Sequence, residues 1–179
     1  MKAQLESVAA QVASRRDFDS PPLHLWHPAP CGDIPIRINN QGTWYHDGGE
    51  IKRESLVRLF ASILRREEDG EYYLVTPTEK WRIAVESHPL LITDIDVLEV
   101  ADVQVLEATL NTGRRILVSE EQPLFLDPAV GDIAALCLPH GLTALCTRSA
   151  WYRLIDLAET RDGMVVLRSG DFELRLPAA

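Results

Sequence analysis

Apolar residues recur along this chain at two spacings, and each spacing predicts a different kind of element. A helical spacing of three and four residues predicts an amphipathic helix over residues 53–66. Its apolar face is made of Leu56, Leu59, Phe60, Ile63 and Leu64. A second helix is predicted from Ser149 to Glu159, and its buried face is made of Trp151, Leu154, Ile155 and Ala158. The same spacing at Leu5, Val8, Ala9 and Val12 predicts a helix over residues 1–16.

An alternation of apolar and polar residues predicts strands through most of the remaining chain. Ile34, Ile36 and Ile38 begin a hairpin that returns through Trp44 and Tyr45. Before it, residues 17–33 are proline-rich and are predicted to form a loop. The other predicted strands cover residues 72–76, 81–86, 91–97, 103–110, 116–118, 133–138, 142–147, 165–168 and 172–176, while residues 123–128 are a loop or an edge strand.

The two strong helices also resemble each other in sequence, which predicts an internal repeat. Arg53 aligns with Arg148, and both helices carry Arg-Leu five residues later. Each helix is followed by Asp-Gly and a two-strand segment. We therefore predict two related α+β modules, residues 18–88 and 89–179, after an N-terminal helix at residues 1–17. A single helix cannot cover both faces of a sheet, so each module is predicted to be a curled antiparallel β-sheet, a roll or open barrel, packed on one α-helix.

Charge and composition exclude several classes of function. The chain has 179 residues and a formal net charge of −9, with a sequence pI of about 5.0. It has no run of basic residues longer than a pair, so we expect no nucleic-acid partner and no anionic membrane surface as a partner. No apolar stretch approaches the roughly 18 residues that span a membrane. An odd number of cysteines, 3, does not suggest a disulfide framework, and we expect a cytoplasmic protein.

Several motifs of the first half are distinctive. Residues 42–46 are Gly-Thr-Trp-Tyr-His, and residues 73–80 are Tyr-Leu-Val-Thr-Pro-Thr-Glu-Lys. With residues 51–60 between them, these motifs resemble the bacterial family catalogued as domain of unknown function 1285, and the second half resembles it more weakly. The sequence departs from the family pattern at Pro139 and at residues 167–170. The resemblance implies two structurally similar small α+β modules, each with one helix against a curled sheet, and no known activity.

The candidate ligand-binding residues are aromatic and charged, and all except Arg148 lie in the first module. Arg53 and Arg148 each lie where a strand leads into a helix, and a cation there opposes the helix dipole. Such an arginine is expected to pair either with a carboxylate of the chain or with an anionic ligand. For Arg53 the candidate carboxylates are Glu79 and Glu86. The predicted ligand-binding residues are Trp44, His46, Arg53, Tyr73, Glu79, Lys80 and Arg148. Core packing explains the two aromatic residues equally well, and a salt-bridged hairpin surface explains the Glu-Lys pair.

Other chemistry finds little support in the sequence. There is no Gly-x-Ser-x-Gly motif, and Ser169-Gly170-Asp171 is predicted to be a hairpin turn, so we expect no catalytic triad. His24, His27 and Cys31 are spaced like zinc ligands, but their segment is proline-rich and lacks a second ligand pair. No glycine-rich phosphate loop is present. We expect no metal and no cofactor.

Three hypotheses for the function follow. We favour a non-enzymatic module that binds a small anionic or polar ligand, or a protein partner, with a signalling or regulatory role. The alternative is an enzyme with a hydrolytic or acid–base site, which requires His46 or His88 close to a carboxylate or a nucleophile. A third possibility is an assembly role, in which the N-terminal helix docks on a sister subunit.

Overall fold

The computed structural model of the chain describes residues 21–161 and 164–176. The predicted N-terminal helix at residues 1–17 lies outside these residues. Within the described chain the backbone divides into two compact units. The first unit runs to Pro89 and includes His140–Leu142, and the second consists of Leu90–Pro139 and the chain from Thr143 onward.

The first unit is a six-stranded sheet with one helix against it. Its strands are β1 Pro30–Ile38, β2 Trp44–His46, β3 Gly49–Glu50, β4 Leu64–Arg66, β5 Tyr72–Val75 and β6 Lys80–Val85. The helix α1, Glu54–Ser62, connects β3 to β4. Neighbouring strands follow the order β3-β2-β1-β6-β5-β4, so the last strand of the unit lies beside the first.

The second unit repeats this sheet and adds a smaller one. Its six-stranded sheet contains β7 Leu90–Val100, β8 Val103–Leu110, β9 Arg115–Leu117, β10 Leu124–Asp127, β11 Ile133–Cys137 and β12 Thr143–Cys146, in the order β10-β11-β12-β7-β8-β9. Helix α2, Arg148–Asp156, follows β12. A three-stranded sheet then consists of β13 Glu159–Arg161, β14 Met164–Ser169 and β15 Phe172–Leu176.

The predicted α+β class with two similar sheet-and-helix modules is confirmed, but the prediction that both sheets are antiparallel is wrong. β1 pairs with β6 in parallel, and β12 pairs with β7 in parallel. Short hairpins force antiparallel pairing only between strands that follow each other directly. The first and last strands of each sheet are joined by a long connection, so their direction is not restricted in this way. Both sheets are open, with edges at β3 and β4 and at β9 and β10.

The structural repeat lies in the sheets, whereas the sequence repeat was found in the helices. α1 lies between the third and fourth strands of its sheet, but α2 follows the sixth strand. The three strands after α1 complete the six-stranded sheet, and the three after α2 form the separate sheet. Arg53 and Arg148 therefore occupy different places in the fold, although the sequences around them align.

Tertiary packing also shifts the ends and the buried face of the predicted helices. α1 ends at Ser62 and not at residue 66, because Leu64 pairs with Leu74 in the sheet and both side chains are fully buried. The buried residues of α2 are Ala150 and Leu154, while Ile155 remains 39% exposed. The predicted loop over residues 17–33 is also wrong at its end, since β1 begins at Pro30 and pairs there with β6.

Candidate functional site

The pleat of the first sheet assigns the predicted site residues to two faces. Ile36 lies opposite His46, and Ile38 lies opposite Trp44. These isoleucines are buried, and successive side chains of a strand point to opposite faces. Trp44 and His46 therefore belong to the face that α1 covers, which we call the apolar face.

Tyr73 and Lys80 belong to the other face, which we call the charged face. Tyr73 lies opposite Arg82, and Arg82 lies opposite Asp33 on β1. Asp33 alternates with the buried isoleucines of β1, so it points away from them. Lys80 is two residues from Arg82 and shares its face. The structure therefore does not bring Trp44 and His46 together with Tyr73 and Lys80.

On the apolar face, Trp44 is packed as a core residue but carries an unsatisfied polar atom. Its side chain is 1% exposed, and its ring stacks on Phe60 of α1 with centroids 6.1 Å apart and planes inclined by 28°. The buried indole Nε1 has no hydrogen-bond partner among the described residues. The indole N–H is a donor only, so an acceptor oxygen is the only kind of partner that would satisfy it.

His46 carries a second unsatisfied atom on the same face. Its ring Nε2 is buried and has no hydrogen-bond partner in the described part of the chain. The nearest carboxylate oxygen, Asp47 Oδ2, lies 3.7 Å away, beyond hydrogen-bonding distance. Trp44 and His46 are two positions apart on one strand, so their Cα atoms are about 7 Å apart and their side chains point to the same face. The two side chains thus leave two ring nitrogens without partners on one buried surface.

The charged face, by contrast, is built around a fully paired carboxylate, Glu67. Lys80 donates to Glu67 Oε2 at 2.9 Å, and Arg65 donates from Nε to Oε1 at 3.0 Å. The Arg65 and Lys80 side chains are each only 13% exposed. Burial disfavours the charged form of Glu67, but the hydrogen bonds from Lys80 and Arg65 outweigh this and hold its pKa below the ordinary value.

Tyr73 extends this network along the charged face. Its hydroxyl donates to Asp69 Oδ2 at 2.7 Å, and this hydrogen bond, together with burial, raises the pKa of Tyr73 to about 12. The ammonium of Lys80 lies 5.0 Å from the centre of the Tyr73 ring, within the range of a cation–π interaction. Arg82 and Asp33 form a bidentate pair beside it. The charges on this face therefore neutralise each other.

Arg65 also holds the chain that precedes the sheet. Its Nη1 donates to the carbonyl oxygens of Leu23 and Trp26, each at 3.0 Å. The side chains of Leu23 and Trp26 are buried, so this segment covers part of the charged face. Sequence reasoning missed Arg65, Glu67 and Asp69. The Arg-x-Glu spacing, which places both side chains on one face of a strand, was the available signal.

The remaining predicted site residues lie apart from both groups. Arg53 immediately precedes α1 and is exposed, and its side chain forms no hydrogen bond or ion pair within the described segments. Glu86, one of its two expected partners, instead pairs with Arg37. Glu79 accepts a long hydrogen bond, 3.5 Å, from Trp81 Nε1. Arg148 is exposed and lies 5.5 Å from the centre of the Tyr152 ring.

Residues considered for catalysis and metal binding have local structural partners. His27 Nε2 lies 2.9 Å from the carbonyl oxygen of His24, and the exposed Cys31 thiol contacts the carbonyl oxygen of Ala29. Across the described ranges, no three potential metal ligands cluster. The predicted turn after Ser169 is confirmed. Ser169 Oγ is buried and forms hydrogen bonds with two backbone groups, the Leu106 amide and the Val118 carbonyl oxygen. No helix within residues 21–161 and 164–176 is long and apolar enough to cross a membrane.

Comparison with known proteins agrees with the resemblance seen in the sequence. A model described as domain of unknown function (DUF1285), N-terminal domain, matches residues 21–88. A second model, protein of unknown function (DUF1285), C-terminal domain, matches residues 89–175. The chain belongs to the DUF1285 family. No curated protein matches it.

Solved structures of DUF1285 proteins share the fold. A DUF1285 family protein from Silicibacter pomeroyi DSS-3, known from a crystal structure, is 38% identical in sequence to this chain. The two structures superpose with a TM-score of 0.82, and the match covers 94% of this chain and 93% of that one. A DUF1285 family protein from Shewanella baltica OS155 is 29% identical, with a TM-score of 0.56, over 69% of this chain and 91% of that one.

Proposed function

We propose that the first unit is a non-enzymatic binding module for a small ligand with acceptor oxygens, held at Trp44 and His46. The observation that carries this proposal is the pair of buried, unpartnered ring nitrogens on one sheet face. A buried polar atom without a hydrogen-bond partner costs about 1–3 kcal/mol, so two of them on one strand are unfavourable in a core. A ligand that hydrogen-bonds with the two nitrogens recovers that free energy.

Core packing alone accounts poorly for these two side chains. A phenylalanine at position 44 would keep a ring for the stacking contact with Phe60 and would bury no polar atom. Buried tryptophan N–H groups usually have a partner. The indole of Trp44 and the imidazole of His46 therefore offer hydrogen-bonding nitrogens that an apolar ring would lack.

The charged face is less suited to a ligand. Lys80 and Arg65 are both held by Glu67, and Arg82 is held by Asp33. A ligand anion would have to displace these internal carboxylates from their cations, which costs the hydrogen bonds already made. The salt-bridged surface is the better interpretation of this group.

Acid–base catalysis has no specific geometry in its favour at His46. A general base needs a partner within about 2.6–3.2 Å, and the nearest carboxylate oxygen to its Nε2 is 3.7 Å away. Binding without chemistry is typical of regulatory and sensing modules, and we assign such a role to this protein in the cytoplasm. The odd number of cysteines, 3, does not suggest a disulfide framework, which supports a reducing compartment.

The indole N–H of Trp44 provides the test. The chain contains 4 tryptophans, and the Trp44→Phe variant identifies the Trp44 indole peak in a ¹⁵N–¹H spectrum. Titration with acetate, inorganic phosphate and N-methylacetamide should move that peak saturably, at the millimolar concentrations that ligands this small require. The indole peaks of Trp81 and Trp151, which lie on other elements, are the internal controls. If no probe moves the Trp44 peak, the proposed function is wrong.

A further inference from the structure

We infer that the ligand of the first unit is an oxyanion, carrying a carboxylate or a phosphate group, and that it enters beside Arg53 at the first turn of α1. This inference rests on the proposed binding function at Trp44 and His46. It adds the chemical class of the ligand, the cation that selects it and the part of the fold that admits it.

The path of the backbone places Arg53 close to Trp44. The amide of Ile51 donates to the carbonyl oxygen of Trp44 at 2.8 Å, so the chain leaves the sheet directly beside this residue. It then enters α1, whose Phe60 packs on the Trp44 ring. Arg53 lies two residues after Ile51, within about 7 Å of backbone, at the point where the chain turns onto the apolar face. The arginine side chain is long enough to cover the rest of the distance.

Arg53 differs from the other described arginines of the first unit in its side-chain contacts. Four others are paired with carboxylates: Arg37 with Glu86, Arg58 with Glu54, Arg65 with Glu67 and Arg82 with Asp33. Arg66 donates to the carbonyl oxygen of Gly70 and lies over the Tyr72 ring. Arg53 has no such contact in the described chain, and its neighbour Lys52 is also exposed. Among the described residues, the two cations just before the start of α1 therefore have no carboxylate partner.

The start of α1 adds further donors. The helix has 9 residues, and the side chain of Arg53 does not cap it. The Leu56 amide donates to the Arg53 carbonyl oxygen at 3.0 Å, but the amides of Glu54 and Ser55 have no backbone partner among the described residues, and they lie at the positive end of the helix dipole. Arg53, these amides and the buried indole N–H of Trp44 are all donors. One neutral carbonyl oxygen has two lone pairs, whereas a carboxylate or phosphate has enough to satisfy donors from several directions.

The nearby carboxylates limit where the anion can lie. Asp47 is 3.7 Å from His46 Nε2, so an oxyanion is repelled from the Asp47 side of the imidazole. Glu54 is engaged by Arg58 at 3.0 Å. Glu50 lies opposite Tyr45, and Tyr45 belongs to the charged face. The position of least repulsion is therefore the Trp44–Arg53 side of His46.

We place access to Trp44 at the first turn of α1, which is the less buried end of the helix. Phe60 and Ile63, at the C-terminal end of the helix, are fully buried, while Glu54 and Ser55 at its start are exposed. The start of the helix is therefore the weakly anchored end, and local opening has its lowest cost there. An anion that binds the opened form stabilises it. The observed affinity then equals the affinity of the open form multiplied by the fraction of molecules that are open.

The test compares charged and neutral probes in matched variants. Acetate, inorganic phosphate and N-methylacetamide are titrated at constant ionic strength, with the Trp44 indole peak as the readout. Arg53→Gln removes the proposed cation, and Arg148→Gln removes its sequence counterpart at the start of α2. We expect Arg53→Gln to weaken the binding of the anion by about five- to tenfold, which corresponds to one lost charge-assisted contact. Binding to Arg148→Gln should equal that of the parent chain.

The outcomes separate the inference from the proposed function. If only N-methylacetamide moves the Trp44 peak, the binding function stands and the oxyanion assignment is overturned. If an anion binds Arg53→Gln as tightly as the parent chain, the role of Arg53 is overturned. If no probe moves the peak, both fail together. A response to acetate alone or to phosphate alone identifies which oxyanion the site takes. Both arginines are exposed, so we expect both variants to fold, and the far-ultraviolet circular dichroism spectrum of each variant is compared with that of the parent chain.

Discussion

The ring of Trp44 stacks on the ring of Phe60, with centroids 6.1 Å apart, and this contact attaches α1 to the first sheet. Phe60 is fully buried. It is the only residue of α1 that is buried in the described structure, so the helix depends on it. The contact therefore has a direct consequence for the stability of the first unit.

Phe60→Ala is expected to destabilise the first unit by about 3–5 kcal/mol, because the substitution removes a buried ring and leaves a cavity. Urea unfolding followed by far-ultraviolet circular dichroism measures this loss. Leu59→Ala is the matched control, since Leu59 lies on the same helix but is only half-buried. Equal losses in the two variants would show that α1 is not anchored at Phe60.

Glu67→Gln is expected to cost about 2 kcal/mol at neutral pH, because it leaves the largely buried cations of Arg65 and Lys80 without their carboxylate. The pKa of Glu67 is lowered in the folded chain, from an ordinary value of 4.5. Its ionised form therefore stabilises the fold above that value, and the contribution is lost as the pH falls through the folded-state pKa. Urea unfolding of the variant and the parent chain should converge in acid.

Glu68→Gln is the control for this prediction, because Glu68 is the adjacent carboxylate and is exposed. It changes the net charge equally and should alter the free energy of unfolding by less than about 0.5 kcal/mol. A stability difference between Glu67→Gln and the parent chain that is independent of pH would contradict the assigned ion pairs.

Tyr73→Phe is expected to cost about 1 kcal/mol, since it removes the hydrogen bond to Asp69. The pKa of Tyr73 is raised to about 12 by that hydrogen bond and by burial. The folded chain therefore keeps the phenol proton when the unfolded chain loses it, so the contribution is complete below pH 10 and is lost as the pH rises toward 12. Tyr72→Phe is the control at neutral pH, because the Tyr72 hydroxyl has no hydrogen bond among the described residues. Burial raises the pKa of Tyr72 as well, so the two variants are compared by thermal unfolding at pH 7, and the parent chain and Tyr73→Phe are then compared up to pH 11.

Ser169→Ala is expected to destabilise the second unit by about 2–3 kcal/mol, although it removes a single oxygen. Ser169 Oγ accepts from the Leu106 amide at 2.9 Å and donates to the Val118 carbonyl oxygen at 2.6 Å. Both backbone groups lose their partner in the variant. Hydrogen exchange of the Leu106 amide should accelerate, while the Leu110 amide, bonded to the Arg114 carbonyl oxygen, should keep its rate. An unchanged Leu106 rate would refute this role of Ser169.

Local sequence patterns predicted the helices and strands of this protein more reliably than they predicted which strands pair with each other in the sheets. The alternation of Ile34, Ile36 and Ile38 predicted a half-buried strand, and the structure confirms it as part of β1. The helical spacing of residues 53–66 predicted α1 but extended it through Leu64, because an apolar residue can continue a helical stripe and also begin a buried strand. Periodicity cannot distinguish these two cases without knowledge of the strand that Leu64 pairs with.

The candidate site illustrates the same limit. Sequence reasoning placed Trp44, His46, Arg53, Tyr73 and Lys80 in one pocket because aromatic side chains beside a cation suit a small anionic or polar ligand. The register of β1, β2, β5 and β6 separates Trp44 and His46 from Tyr73 and Lys80, since a shift of one residue moves a side chain to the opposite face. Register depends on pairings between strands far apart in sequence, which no short motif records.

The sequence by itself determined the α+β class, the two helices of the described chain, most of the strands and the family to which the chain belongs. These follow from local periodicity, turn residues and short motifs, because a few neighbouring residues are enough to encode them. Only the tertiary structure decided that β6 returns parallel to β1, that the repeat resides in the sheets, and that Glu67 holds Lys80. Those outcomes depend on which distant surfaces bury each other, and that is a property of the whole packed chain.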